Sequence, residues 1–536
     1  MAHRTYVNVL DNDSLLQVFS CYRLEDEHNW NVRYMWRRLA HVCRRWRHLV
    51  FDSWSHLDLF LLLKSGFPSI STLKYLSSLP LFIDYSDETM TMAQQDEDNI
   101  HLGLQQHGRV RGIVLRAPSS SLRMWLEPMN KHYPRLEALS LLSTTTEEVS
   151  LVLPETLQAP DMRHLALHGI GLSKKLSFLS SVIALSTLSI THIAASCYFP
   201  PWDLVTQLQG LPHLEELSIG FAIPIPLPSN ERELLPAPVP PVTLPILRLL
   251  TFRGVGVYLD NLVAQINTPL LERLSLTLFF ELTFILVNLT EFILRTEGFG
   301  RLVARVVFNK DAASINVDHY EQPGVEILSL RVNCERVDWQ IDSATQVCSA
   351  LGNVLSVVEE LTLDLDVDGI PPDWENALDD ILWHELLLPF IGVKKLLIHS
   401  SLTLELSQAL ELVTGELVLE LLPELQGLEV HLMIDQAPNA FSKFVANRQS
   451  VGRPVSLLIV LLSRSRSYTP SIIQPIPIPR SLSPSIIQPI PIPRSSSPSI
   501  IYPRVYPRVY PPSPSPSPPL RSSPSPSPLS APSPPD

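Results

Sequence analysis

The chain has 536 residues, 45% of them hydrophobic, enough for one large core with extensions or for two to four ordinary domains. Seven arginines and one aspartate fall between Arg464 and Asp536, so that segment carries +6 of the net −13 and the rest carries −19, the opposite of a nucleic-acid footprint. Five scattered cysteines without a C-x-x-C pair exclude a disulfide framework or zinc knuckle, and the most apolar window, Leu274–Leu294, is broken by Glu281 and Glu291.

The first legible stretch runs from Val7 to Leu59. Leu15, Val18, Phe19 and Tyr22 recur at the spacing of one helix face. Asp11 and Asp13 precede them, where carboxylates cap free N–H groups and oppose the helix dipole. A second stripe follows in Trp36, Leu39, Val42, Cys43, Trp46, Leu49 and Val50, with Arg37, His41, Arg44, Arg45 and His48 opposite. Arg37, Arg38, Arg44, Arg45 and Arg47 read as a solvated helix face, since the tryptophans share the apolar stripe rather than the basic one. Helices this short need a partner surface, inside the chain or outside it.

These residues resemble an F-box. Leu10, Asp13, Leu16, Val18 and Phe19 match the first part of that family's pattern. Val42-Cys43-Arg44-Arg45-Trp46, Leu49, Trp54 and Leu57-Asp58-Leu59 match the second. Asp11 stands where the family has proline, and Cys21–Met35 make a long spacer. With Leu79-Pro80-Leu81-Phe82-Ile83-Asp84-Tyr85, the stretch is similar to the large F-box set of mushroom-forming fungi. The resemblance implies a small all-α domain over residues 1–64 that docks a Skp-type adaptor, and through it a cullin. It assigns that docking to Leu10, Leu15, Leu16, Val18, Phe19, Val42, Trp46 and Leu49.

Residues 65–108 read as a linker or the first part of an array, with the polar run Asp87 to Asp98 inside it. From there a turn residue followed by apolar-x-x-apolar-x-apolar recurs. It begins at Pro134, Pro160, Ile183, Pro212, Pro245, Pro269, Arg301, Pro323, Ser356, Ile391 and Pro423, with Val110–Leu115 as a partial earlier copy. The triplets include Leu136/Leu139/Leu141 and, at Arg301, Val303/Val306/Phe308. This is the core of a leucine-rich repeat stretched by insertions, and it predicts an α/β fold with a degenerate solenoid over 109–462. Each unit supplies one parallel strand and a return segment, and stacked units share a core that one unit cannot form. Pro224–Pro241 reads as an extended loop, Asp373–Leu388 as a helix, and Pro454–Leu462 as the closing strand.

Residues 463–536 are low-complexity. Pro470–Arg480 returns as Pro484–Arg494, and Tyr-Pro-Arg-Val and Ser-Pro repeats follow. Such composition favours extended polyproline conformations and builds no core, so the tail is expected to be disordered.

Asp364, Asp366, Asp368, Gly369 and Glu375 fit a calcium-loop expression. An EF-hand needs a helix on each side, however, and Val358–Val367 alternates as a strand, with Pro371 and Pro372 inside the loop. The stretch reads as acidic residues on and after a strand. No phosphate-cradling glycine loop, nucleophile elbow or Cys–His constellation appears. The expectation is a non-enzymatic adaptor without cofactor or metal: a Skp-type adaptor at one end, a protein substrate on the repeats, and neither nucleic acid nor membrane. The repeat positions available to that substrate include Glu137, Arg163, Glu215, Arg273 and Glu360. The alternative is a repeat scaffold that recruits no ligase. Lacking an apolar signal core, the chain is expected to be intracellular, cytoplasmic or nuclear.

Overall fold

The computed structural model describes residues 10–21, 36–65, 76, 78–86, 93–145, 151–173, 176–222, 241–279, 284, 286–295, 302–320, 326–334, 337–365, 380–399, 402–411, 421–433 and 441–462. The chain divides into two units, Met1–Ser465 and Arg466–Asp536. The second unit, nearly all of the proline-rich insertion and Val325 of the Pro323 copy lie outside the described residues.

Three short helices come first: α1 (Asn12–Cys21), α2 (Trp36–Val42) and α3 (Arg44–Asp52). The rest is built on one sixteen-stranded sheet. Its strands are β1 (Leu61–Leu63), β2 (Leu81–Tyr85), β3 (Val110–Ala117), β4 (Ala138–Ser143), β5 (His164–His168), β6 (Thr187–Ile193), β7 (Glu216–Phe221) and β8 (Leu249–Gly254). They continue as β9 (Arg273–Phe279), β10 (Leu302–Asn309), β11 (Ala312–His319), β12 (Glu326–Asn333), β13 (Val358–Leu365), β14 (Lys395–Ile398), β15 (Gly427–Met433) and β16 (Ser456–Leu462). Their spatial order is the chain order except in one place, where β9 is followed by β12, β11, β10 and then β13.

The repeated spacing has a local cause. In most copies the first apolar residue closes a four-residue turn: Leu136 N–H donates to Tyr133 C=O at 3.3 Å and Met162 N–H to Ala159 C=O at 3.1 Å. Leu214 to Leu211, Leu247 to Leu244, Leu271 to Thr268 and Leu425 to Leu422 repeat it. Proline falls at the second position of each of these turns (134, 160, 212, 245, 269 and 423), where its fixed φ suits the geometry. The next residue opens the ladder, as Glu137 N–H does to Arg111 C=O and Arg163 N–H to Glu137 C=O, both at 2.8 Å. The two remaining apolar residues then point to one face. Leu139, Leu141, Leu165, Leu167, Leu188, Ile190, Leu217, Ile219, Leu250 and Phe252 are all 1% exposed or less. That face belongs to a continuous core extending from Leu15 to Val455.

Return segments close the core. They include α4 (Gln94–Gln105), α5 (Ser119–Leu126), α6 (Pro201–Leu208), α7 (Gly256–Val263), α8 (Val287–Arg295), α9 (Val337–Ala350) and α10 (Gly352–Leu355). The last three are α11 (Asp380–Leu387), α12 (Thr403–Glu411) and α13 (Ser442–Ser450). Other returns are irregular, with small parallel ladders pairing Leu151–Val152 with Ile170–Gly171 and Val242–Thr243 with Ile266–Asn267. Of the helix expected over Asp373–Leu388, the described part is α11, anchored by the fully buried Trp383, and residues 373–379 lie outside the described residues. The closing strand is β16, parallel to β15.

Two expectations need correction. The sheet begins before residue 109: β1 pairs with β2 and β2 with β3, all parallel, so Leu61–Leu63 inside the 1–64 segment is already sheet. The copy at Arg301 gives a strand, β10, that runs parallel to β13, but a reversed strand that the repeat does not predict, β11, separates it from β12. β10 turns back through Lys310–Asp311 into β11, and β10, β11 and β12 form an antiparallel meander. There Leu302, Ala304, Val306 and Phe308 face the core, and Val303 faces away. A two-residue turn can join only antiparallel neighbours, and apolar spacing alone does not encode strand direction.

Candidate functional site

Two surfaces have the character of docking sites. The first is the helical module α1–α3. Asp11 accepts the Ser14 N–H at 2.6 Å, which caps α1 and holds the Asp11 carboxyl below the ordinary carboxylate range. Cys43 caps α3, its Sγ accepting the Trp46 N–H at 3.5 Å. Arg45 straps the two helices, donating to Leu10 C=O at 2.6 Å and to Asn12 Oδ1 at 2.9 Å. Arg47 donates to Ala40 C=O at 3.0 Å, tying α3 to α2. Part of the basic face expected to be only solvated therefore holds the module together.

The eight expected adaptor-docking residues divide into three groups. Leu15, Phe19 and Leu49 are interior, and the Phe19 ring meets the Trp46 ring edge-on at 4.7 Å. Leu16 and Trp46 are half-buried against the core. Leu10, Val18 and Val42 stand in solvent, 40%, 52% and 59% exposed. Among the described residues of the module, these three are the large apolar side chains left mostly in water. Asp58, in the turn after α3, pairs with Arg111 of β3, and Arg111 also reaches Glu137 at 2.9 Å. The module is thus pinned to the sheet.

The second surface is the sheet face opposite the core. Among the expected substrate positions, Arg163, Glu215 and Arg273 are exposed there, and Glu137 and Glu360 are half-buried. Charges at the strand starts are mostly paired: Arg248 with Glu272 at 3.0 Å, Lys394 with Glu359 at 2.8 Å, and Lys395 with Glu429 at 3.3 Å. Glu429 also accepts from His431 Nε2 at 3.0 Å, and these contacts, His431 foremost, hold its carboxyl below the usual range. The middle of the face is a row of small polar residues in register, Ser189, Ser218, Thr251, Ser275 and Ser329. All five are half-buried.

Of the calcium-loop residues, Asp364 lies on β13 with its carboxylate 3.9 Å from His399 Nδ1. Asp366, Asp368, Gly369 and Glu375 lie outside the described residues. Among the described residues no helix is long and apolar enough to cross a membrane.

Sequence reasoning missed Cys43 as a cap and Arg45 as a strap, because both depend on contacts across the helix turn or between helices. The position of Cys43, directly before a basic helical run, was the available signal. No protein-family model matches this chain, and no curated protein gives a significant match.

Proposed function

We propose that this chain is the substrate-recognition subunit of a Skp–cullin–F-box ubiquitin ligase. On this reading α1–α3 are the F-box and dock a Skp-type adaptor. The sheet and its return segments are a degenerate leucine-rich-repeat solenoid, whose outer face holds a protein substrate. The chain contributes no catalytic group. It holds an acceptor lysine near a charged ubiquitin carrier, which raises effective concentration.

The observation that carries the reading is the set Leu10, Val18 and Val42, apolar and exposed on a capped and strapped helical module. The parallel strands in largely chain order, six of them opened by the same proline turn, support the repeat half.

The test is capture of a purified Skp-type adaptor by the full chain and by its Val18→Asp/Val42→Asp variant. Both side chains are exposed, so the variant keeps the wild-type circular dichroism and melting temperature. Two charges buried against an apolar partner are expected to weaken capture at least tenfold. Equal capture by the variant overturns the docking assignment. A wild-type chain that captures no adaptor leaves the protein-binding scaffold as the better reading. Phe19→Asp is unsuitable, because Phe19 is interior and its loss unfolds the module.

A further inference from the structure

The sheet has two edges, β1 and β16, and they end differently. β1 offers three residues, Leu61–Leu63, all buried. β16 offers seven, Ser456-Leu457-Leu458-Ile459-Val460-Leu461-Leu462, with no charge, proline or glycine among them. Its register with β15 is unbroken, from Gly427 opposite Ser456 to Met433 opposite Leu462. Sheet edges in water are normally blunted by lysine, proline, a bulge or a very short strand, and β16 carries none of these devices.

The backbone of β16 is used on one side. Ser456 N–H donates to Gln426 C=O at 2.9 Å, so Ser456, Leu458 and Val460 turn their backbone groups to β15. Leu457, Ile459 and Leu461 turn theirs to the open edge, where no described strand pairs with them. The same three residues continue the core row, in register with Leu428, Val430 and Leu432, which are 2% exposed or less. Yet Leu457 and Ile459 are only half-buried, and Leu461 is 65% exposed. The shared core thus stops at an open end, and among the described residues no polar cap of the kind a stacked array needs follows it. On the outer face Leu458 is 56% exposed as well.

We infer that β16 is a self-association edge, pairing antiparallel with β16 of a second copy of this chain about a two-fold axis through Ile459. Three observations select a second copy. An antiparallel neighbour bonds through residues that share one face of the sheet, so those set against Leu457, Ile459 and Leu461 have to be apolar. β16 meets that demand itself, because the two-fold sets Leu457 against Leu461 of the second copy, Ile459 against its equivalent, and Leu458 against Val460. The occupant also has to close an open core end, and a second copy brings an identical one, so the two cores become continuous. Finally, like charges oppose contact between copies that each carry −13. β16 has no charge, and Glu429, the one acid on β15, is paired with Lys395 at 3.3 Å. A two-fold contact consumes the edge of both copies, so association closes at a dimer instead of growing into a filament. The inference does not rest on the ligase reading.

The test is the mass of the full chain by analytical ultracentrifugation across the micromolar range. The expected result is a concentration-dependent species of twice the 60.2 kDa chain mass. Leu461→Lys and Leu461→Pro should each weaken that dimer at least tenfold with circular dichroism unchanged. The Leu461 side chain is largely in water and its N–H faces the open edge, so neither change removes a hydrogen bond to β15. A chain ending at Leu462 should dimerise as the full chain does. A monomer at every concentration, or open-ended growth, overturns the proposal. So does an undiminished dimer in a folded Leu461→Lys variant. A dimer formed by only one of the full and shortened chains overturns it too, because the contact then depends on residues beyond β16.

Discussion

Gly112 shows how one residue can decide packing. It pairs with Phe82 across β2 and β3, and a Cβ built on it would fall on the Phe82 ring. Phe82, with Phe60 and Leu62, forms a small buried cluster separate from the main core. Gly112→Val is expected to cost about 1–3 kcal/mol, the usual penalty of overpacking, in a denaturant titration. Combining it with Phe82→Leu should recover part of that loss, which a general backbone effect would not allow. The His168–His192 pair gives a second prediction at this scale. Their folded pKa values are lowered, so between those values and the ordinary 6.5 the unfolded chain binds more protons than the native one. Stability attributable to the pair is then full above pH 6.5 and is lost as pH falls below it. A His168→Gln/His192→Asn variant should show a smaller drop in melting temperature between pH 7.5 and 5.5 than the wild type. Asparagine is chosen because it tolerates the positive φ at position 192.

The working element is a proline turn, an apolar residue that closes it, and a strand whose alternate side chains enter the core. Its period is visible in one dimension because every part is local. The helical module obeys a different rule, since α1–α3 share a face too small to hide all of their apolar residues. Phe19→Ala should therefore destabilise the chain by about 3–5 kcal/mol, the usual cost of emptying a buried aromatic site. Val18→Ala, on the same helix but 52% exposed, should stay within about 0.5 kcal/mol. Comparable losses from the two would show that α1 packs differently. Helical spacing put both residues on one face, and only the packing of α3 beneath Phe19 separated them.

Across the whole molecule, the last described strand is β16, and Ser456–Leu462 covers the hydrogen-bonding edge of β15 over its whole length. A chain ending at Leu462 should keep the melting temperature of the full chain to within a few degrees. One ending at Met433 loses β16 and α13, bares the apolar strand β15 and is expected to aggregate, as light scattering would report. The amino-acid sequence by itself determined where most strands fall, because turn closure by Leu136 or Met162 and burial of Leu139 or Leu165 depend on residues within eight positions of one another. It also determined the capped start of α1 at Asp11. Tertiary structure decided the rest. Neighbouring strands are chosen by shared burial and by connection length, so the meander of β10–β12 reads like its parallel neighbours until the Lys310–Asp311 turn is seen joining two strands. His168 and His192 sit on different strands, and only the pairing of β5 with β6 brings their rings to 4.3 Å.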